Sequence, residues 1–375
     1  MRDVVEIGMG REARRAYDLG QIEIVPSRRT RSSKEVSTDW RLDAYQFDIP
    51  LVTHPTDAVV SPASAVAIGR LGGLAVLNAE GLWARHADAD AAVAQVREAA
   101  EAGAGPGDAI RMLQQLHAAP IDEGLLGEAL KSVRDAGVTV AARVSPQRAR
   151  ELTPTLLAAG VEILVVQGTI ISAEHVSRGE PLNLKEFINS LDVPVAAGGC
   201  GDYRTAMHLM RTGAAGVIVG YGESSATTTD EVLGIGVPMA TAIVDAAAAR
   251  RDYLDETGGR YVHVIADGGM AGSGDLAKAI ACGADAVMLG EQLAEAADAP
   301  GRGLYWTSSA AHPSLPRSEI VEVAQGDRTL EQVLFGPSDE PYGSVNLFGA
   351  LRRAMAKTGY SDLKEFQRVG LNVRG

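Results

Sequence analysis

The sequence contains eight short apolar runs, rich in Val and Ile, that alternate with segments of helical periodicity, and this alternation constrains the fold most. Because the runs are apolar at nearly every position, each predicted strand is buried on both faces, as in a parallel sheet. Eight strand–helix units over roughly 250 residues predict an α/β protein, a single-domain (β/α)₈ TIM barrel, with a doubly wound open sheet as the alternative. The runs are Pro50–Thr53, Leu74–Asn78, Thr139–Val144, Glu162–Val166, Val193–Ala197, Gly216–Val219, Val262–Ala266 and Ala286–Leu289.

The barrel pattern divides the chain into three predicted parts. Residues 49–299 form the barrel, and residues 1–48 form an N-terminal segment that packs on it. Residues 300–375 form a C-terminal part with a flap-like loop and closing helices. The connection Ala79–Val138, between the second and third strands, consists of helical patterns. We therefore predict no second domain within this connection.

The composition excludes several classes of protein. The chain has 375 residues, of which 35 are basic and 48 acidic, so that its formal net charge is −13. Proteins that bind nucleic acid or an acidic membrane surface need a basic footprint, so neither partner is predicted. The sequence has no apolar run long enough to cross a membrane and no signal-peptide pattern. Its two cysteines are too few for a disulfide framework. Together these observations predict a cytoplasmic protein. No histidine pairs with another metal-binding residue at ligand spacing, so no metal site is predicted.

Glycine-rich turns are predicted after neighbouring strands of the barrel. Gly220–Ser225 follows the sixth strand, Asp267–Gly269 follows the seventh, and Gly290 ends the eighth. Glycine lets the backbone approach an anion closely, and a strand–turn–helix layout directs backbone N–H groups toward a phosphate. The Ser225 hydroxyl can donate to that phosphate, and the Asp267 carboxylate can accept hydrogen bonds from ribose hydroxyls. Ordinary tight turns between strands and helices are the alternative.

Four segments carry a resemblance to a known family. They are Ile49–Val60, Glu231–Ile243, Val264–Gly290 and Leu351–Phe366. They resemble the IMP dehydrogenase/GMP reductase family, in particular its short members that lack the regulatory CBS modules. The resemblance implies a purine mononucleotide of the IMP, GMP or XMP type as ligand, NAD(P) as cofactor, and a homotetramer. It also implies a set of nucleotide-binding residues, namely Asp57, Gly222, Ser225, Asp267, Gly268, Gly269 and Gly290.

The family's active-site loop is present without its reactive atom. In the family a cysteine thiolate attacks the purine C2, and hydride then passes to or from a nicotinamide. The cysteine's place holds Thr227 in this sequence, and the nearest acids along the chain are Glu223 and Asp230. A hydroxyl is far less acidic than a thiol, whose pKa is about 8.5, and it needs a partnered base. Cys200 is not predicted to replace the nucleophile, because no adjacent basic group lowers its pKa.

Other positions also lack the residues with which the family contacts its ligands. Gln167 stands where the resemblance implies an acid that contacts the dinucleotide. Glu291 follows Gly290 where the family has a serine that donates to the phosphate, and a carboxylate there repels an anion. Thr56 replaces a methionine under the purine. The flap-like segment His312–Arg317 is short. The scaffold is therefore predicted to be retained and the redox chemistry to be lost.

Three functional hypotheses follow. The leading one is a catalytically weak or silent purine-nucleotide-binding barrel that senses nucleotides or partners another purine enzyme. The second is an active NAD(P)-dependent IMP dehydrogenase or GMP reductase with an unrecognised nucleophile. The third is an FMN-dependent barrel oxidoreductase, since such enzymes also seat phosphate at the last two strands.

Overall fold

The computed structural model describes residues 4–102, 106–173, 181–323 and 328–374. Its centre is a sheet of eight parallel strands in which the second to the eighth strands pair in chain order, and the eighth pairs with the first. A single parallel bridge between Val52 and Leu74 joins the first strand to the residues that lead into the second. The ring confirms the predicted (β/α)₈ barrel, and the alternative of an open sheet is wrong. The strands are β1 Leu51–Thr53, β2 Val76–Asn78, β3 Ala141–Val144, β4 Ile163–Gln167, β5 Val195–Cys200, β6 Gly216–Glu223, β7 His263–Gly268 and β8 Ala286–Leu289.

Helices cover the outside of the ring. The connection after β2 forms three of them, as predicted, and two more close the chain. Gly160, Gly213 and Gly283 follow helices with φ angles of 93°, 99° and 120°, the left-handed conformation that favours glycine at a helix end. The helices of the described residues are α1 Pro62–Arg70, α2 Ala89–Glu101, α3 Pro106–His117, α4 Glu123–Asp135, α5 Ala149–Ala158, α6 Leu184–Asn189, α7 Tyr203–Arg211, α8 Thr229–Leu233, α9 Met239–Thr257, α10 Ser273–Ala281, α11 Glu291–Ala294, α12 Leu330–Phe335, α13 Leu347–Thr358 and α14 Leu363–Phe366.

The barrel strands are buried on both faces, which explains why their sequences are apolar throughout. Every residue of β4, β5 and β8 is buried. The inner side chains fill the ring, and the outer ones pack against the surrounding helices in one continuous apolar core. In a barrel filled in this way, ligands bind at the carboxyl ends of the strands rather than inside the ring.

Strand β6 extends further than its apolar run, which corrects the predicted turn at Gly220–Glu223. This segment belongs to the strand, and Glu223 pairs with Gly268 of β7 after a register shift. Gly220 has φ of 108°, and a Cβ atom there would lie 2.0 Å from the backbone oxygen of Asp267. The two strands approach so closely only because this residue is glycine. The prediction failed because glycine is the default turn residue and also the residue of close strand contacts.

Shorter strand pairs lie before and after the barrel sequence. Residues Ile22–Ile24 pair antiparallel with Leu371–Val373, so the two ends of the chain meet. A hairpin of Trp40–Leu42 and Tyr45–Phe47 stacks the rings of its first and last residues at 5.2 Å. The division of the chain at residues 48 and 299 stays a prediction. Within the described ranges, no helix is long and apolar enough to cross a membrane.

Candidate functional site

The carboxyl ends of β6, β7 and β8 surround one small cavity at the mouth of the barrel. Its volume is about 20 Å³. A water molecule needs roughly 10–15 Å³ on this measure, so the cavity has room for about one water. The lining residues include four that the sequence predicted for nucleotide binding, Gly222, Asp267, Gly268 and Gly290. The others are His54, Glu223, Ser224, Met270, Met288, Glu291, Gln292 and Tyr305.

Ser225 and Glu291 form a bridge across the rim of this cavity. The Ser225 backbone N–H donates to Glu291 Oε2 at 3.0 Å, and the Ser225 hydroxyl donates to Oε1 at 2.5 Å. Both donors predicted for a phosphate are therefore bonded to a carboxylate of the same chain. A carboxylate and a phosphate present the same kind of acceptor, anionic oxygen atoms, to such donors.

Glu223 contributes a second carboxylate to the cavity. Its Oε2 accepts the backbone N–H of Tyr221 at 3.0 Å, and its Oε1 is buried without a hydrogen-bond partner among the described residues. Burial, opposed by that backbone bond, raises the pKa of Glu223 to about 7. A Cβ atom on Gly268 would lie 2.5 Å from Glu223 Oε2, so the glycine makes room for the acid. Sequence reasoning missed Glu223 as a site residue because it was assigned to a turn.

Asp267 is held by two side chains at the centre of the mouth. Its Oδ1 lies 3.1 Å from His54 Nδ1, and its Oδ2 accepts the Gln167 amide N–H at 2.8 Å. The residue is buried, with 2% of its surface exposed. The two carboxylate oxygens of Asp267 were predicted to accept hydrogen bonds from ribose hydroxyls. In this conformation they contact His54, in the loop after β1, and Gln167, at the end of β4. His54, in the loop after β1, also lines the cavity.

Thr227 pairs with the residues that directly follow the predicted flap-like segment His312–Arg317. Its hydroxyl donates to the Gly222 carbonyl at 2.5 Å and lies 3.0 Å from Ser224 Oγ. Its backbone forms an antiparallel bridge with Ser318. The neighbouring N–H of Glu319 donates to the Ala226 carbonyl at 2.7 Å. The described partners of the Thr227 hydroxyl are thus a carbonyl and another hydroxyl, and neither can act as a base for it.

Neither cysteine is an activated nucleophile. Cys200 ends β5 with 1% of its surface exposed, and its thiol lies 3.3 Å from the Ile218 carbonyl. Burial raises the pKa of Cys200 to about 12 and that of Cys282 to about 11. Both groups are therefore protonated thiols at neutral pH, and reactivity requires the thiolate.

Asp57 and Gly269 are not among the residues that line the cavity. Asp57 is buried, accepts the Leu82 N–H at 3.1 Å, and has its other carboxylate oxygen 3.2 Å from His117 Nε2. The Gly269 N–H donates to the Glu223 carbonyl at 2.8 Å. The predicted roles of these two residues in nucleotide binding stay predictions.

Two further predicted departures have clear structural partners. Thr56 donates its hydroxyl to the Trp306 carbonyl at 2.5 Å, so it serves to hold the segment after β8. Arg317 donates to Thr169 Oγ1 at 3.2 Å and to the Leu315 carbonyl at 3.0 Å, and burial lowers its pKa. Among the residues that the structure describes, no group of three or more His, Cys, Asp or Glu side chains is placed to hold a metal ion.

A closed ring of eight parallel strands with its polar cluster at the carboxyl ends defines the protein as a (β/α)₈ barrel. Residues 16–312 match the sequence profile of the IMP dehydrogenase / GMP reductase domain. The chain therefore belongs to the IMP dehydrogenase/GMP reductase family, which confirms the resemblance drawn from its motifs.

Known proteins similar to this chain fall into two groups. It is 69% identical over 373 residues to an uncharacterized oxidoreductase of Mycolicibacterium smegmatis, covering 99% of this chain and 100% of that protein. It is 34% identical over 241 residues to the inosine-5'-monophosphate dehydrogenase of Rhizobium tropici, which is 60% of this chain and 46% of that enzyme. A solved IMP dehydrogenase/GMP reductase-like protein from Corynebacterium glutamicum shares 58% identity at a TM-score of 0.95, covering 99% of this chain and 98% of the other.

Proposed function

We propose that this protein is a purine-mononucleotide-binding member of its family that does not catalyse the family's hydride transfer. The observation that carries the proposal is Thr227, which takes the place of the cysteine and donates its hydroxyl to the Gly222 carbonyl. Covalent attack on a purine needs a deprotonated nucleophile, and the described partners of this hydroxyl, a carbonyl and another hydroxyl, are not bases that could take its proton. Loss of a nucleophile in another enzyme class lowered kcat by about 10⁶.

The dinucleotide side of the mouth supports the same proposal. At the end of β4, Gln167 offers an amide where a nicotinamide ribose needs an anionic acceptor, and this amide already donates to Asp267. Gln167 Oε1 is buried without a hydrogen-bond partner among the described residues, and as a neutral amide oxygen it is a weaker acceptor than a carboxylate. These residues do not fit NAD(P), so we derive no hydride step for this chain.

Nucleotide binding is supported by the anion donors at the rim. Ser225 presents an N–H and a hydroxyl that hold an anionic group, and Gly268 and Gly290 line the cavity whose rim this group occupies. The ligand class, a purine mononucleotide of the IMP, GMP or XMP type, comes from the family. The cavity of about 20 Å³ means that side chains at the mouth move when such a ligand binds. A homotetramer stays a prediction from the resemblance, and a cytoplasmic location and a complex with another purine enzyme also stay predictions.

The test measures turnover and binding side by side. We expect no change of NAD(P)H absorbance with IMP plus NAD or with GMP plus NADPH, while calorimetry detects mononucleotide binding. Robust turnover would establish the active oxidoreductase, which the name of the Mycolicibacterium smegmatis relative, an uncharacterized oxidoreductase, favours. A flavin spectrum in the purified protein would favour the FMN alternative. Thr227→Ala removes the hydroxyl and Thr227→Ser keeps it, so turnover that survives Thr227→Ala does not use this hydroxyl.

A further inference from the structure

We propose that Glu291 is an internal ligand of the phosphate subsite, so that a phosphate monoester binds only when this carboxylate leaves Ser225. The inference rests on the proposed function and adds to it a competing group within the same chain. It makes Glu291 the residue that sets the affinity of the mouth for phosphate.

The geometry of the bridge is that of a bound anion. Two donors of Ser225, one from the backbone and one from the side chain, go to the two oxygen atoms of the same carboxylate. The residues are 66 positions apart and come from the ends of β6 and β8. The contact therefore depends on the barrel placing these strand ends together, and it is independent of any short-range preference of the chain.

The charges at the mouth make the two anions exclude each other. Glu223, Asp267 and Glu291 all line the cavity. Among its described lining residues none is Lys or Arg, and the His54 ring is already directed to Asp267, so no lysine or arginine charge there offsets a phosphate added beside Glu291. A phosphate and this carboxylate would also need the same N–H and hydroxyl. Binding of one therefore requires departure of the other.

The position of the bridge allows that exchange. Ser225 is exposed and Glu291 is partly exposed, so the carboxylate can rotate into water without opening the core. When only a fraction of the molecules is in the state that can bind, the apparent affinity for the ligand equals the intrinsic affinity multiplied by that fraction. If Glu291 occupies the donors in nine molecules of ten, removing its charge tightens phosphate binding at least about tenfold.

The experiment compares three probes on matched variants by calorimetry. The probes are inorganic phosphate, IMP, and inosine, which has the same base and sugar without the phosphate. The variants are wild type, Glu291→Gln, which keeps the shape and removes the charge, and Glu331→Gln, an exposed glutamate on α12 as control. We expect Glu291→Gln to bind phosphate and IMP at least about tenfold more tightly than wild type, with inosine unchanged. Glu331→Gln should match wild type.

The outcomes separate this inference from the proposed function. If IMP binds wild type and Glu291→Gln equally, the internal-ligand proposal is wrong and the proposed function stands. If Glu291→Gln gains phosphate binding but neither protein binds IMP, the internal ligand is supported and the proposed function fails. If Glu291→Gln binds none of the probes, a second variant, Glu291→Ser, repeats the measurement, and failure of both folded variants to bind phosphate overturns the proposal.

Discussion

Glu223 shows how a single residue at the mouth couples burial to protonation. Its carboxylate is held between β6 and β7, with one oxygen bonded to a backbone N–H and the other unpaired among the described groups. Transfer of a charge from water to such a place is unfavourable, so the protonated form is preferred and the pKa rises to about 7. At neutral pH the residue is therefore near its midpoint, whereas the same side chain in water is ionised.

We expect Glu223→Gln to change the pH dependence of stability. Between pH 4.5 and about 7 the folded protein holds a proton that the unfolded chain has released, so this group destabilises the fold progressively as pH rises. The pKa difference corresponds to at most about 3 kcal/mol. Relative to wild type, the free energy of unfolding of Glu223→Gln should therefore be higher at pH 8 than at pH 5. Urea unfolding at both pH values measures it, with the exposed Glu231→Gln as control, and an equal difference at both values would contradict it.

At the scale of elements, the contact between β6 and β7 decides the shape of the mouth. The apolar runs predicted the presence and order of all eight strands, because burial on both faces leaves a local pattern in the sequence. They did not predict that β6 continues through Gly220–Glu223. That continuation depends on β7 lying against it, and nothing within β6 alone distinguishes a close strand contact from a turn.

Gly220→Ala should destabilise the protein strongly. The added Cβ atom would lie 2.0 Å from the Asp267 backbone oxygen, which forces β6 and β7 apart at the mouth. Gly258→Ala is the matched control, because Gly258 also has a positive φ of 68° but no heavy atom within 4 Å of the added Cβ. We expect a loss of about 3 kcal/mol or more at Gly220 and about 1 kcal/mol at Gly258 in urea unfolding. Equal losses at the two positions would mean that φ alone matters.

At the scale of the whole molecule, a buried ion cluster opposite the mouth ties the C-terminal helices to the barrel. Asp285, just before β8, accepts hydrogen bonds from Arg250 at 2.7 Å, from the Tyr261 hydroxyl at 2.8 Å and from the Val264 N–H at 2.9 Å. It is also paired with Lys364 of α14. Burial alone would raise the pKa of Asp285, but the charges of Arg250 and Lys364 outweigh it and hold the pKa well below its usual range.

Asp285→Asn should therefore destabilise the whole barrel at neutral pH. Removing the carboxylate leaves the partly buried Arg250 without its counter-charge, which costs about 3–5 kcal/mol in comparable buried pairs. In wild type, the stabilisation from this group is present above its unfolded pKa of 3.8 and is lost as pH falls toward the lower folded value. Urea unfolding at pH 7 measures the effect. Asp135→Asn, which breaks an exposed pair with Lys131, is the control, and a similar loss in both variants would contradict the argument.

The sequence by itself determined the barrel and the order of its strands, because both depend on residue types at neighbouring positions. Only the tertiary structure decided what the polar residues at the mouth bind. Asp267 meets Gln167 from 100 positions away and His54 from 213 positions away, and Ser225 meets Glu291 across 66. Such pairs arise because closing the ring brings all eight strand ends to one place. Glu291 was predicted to repel a phosphate, and Ser225 was predicted to bind it. In the structure the Glu291 carboxylate is instead the hydrogen-bond partner of Ser225.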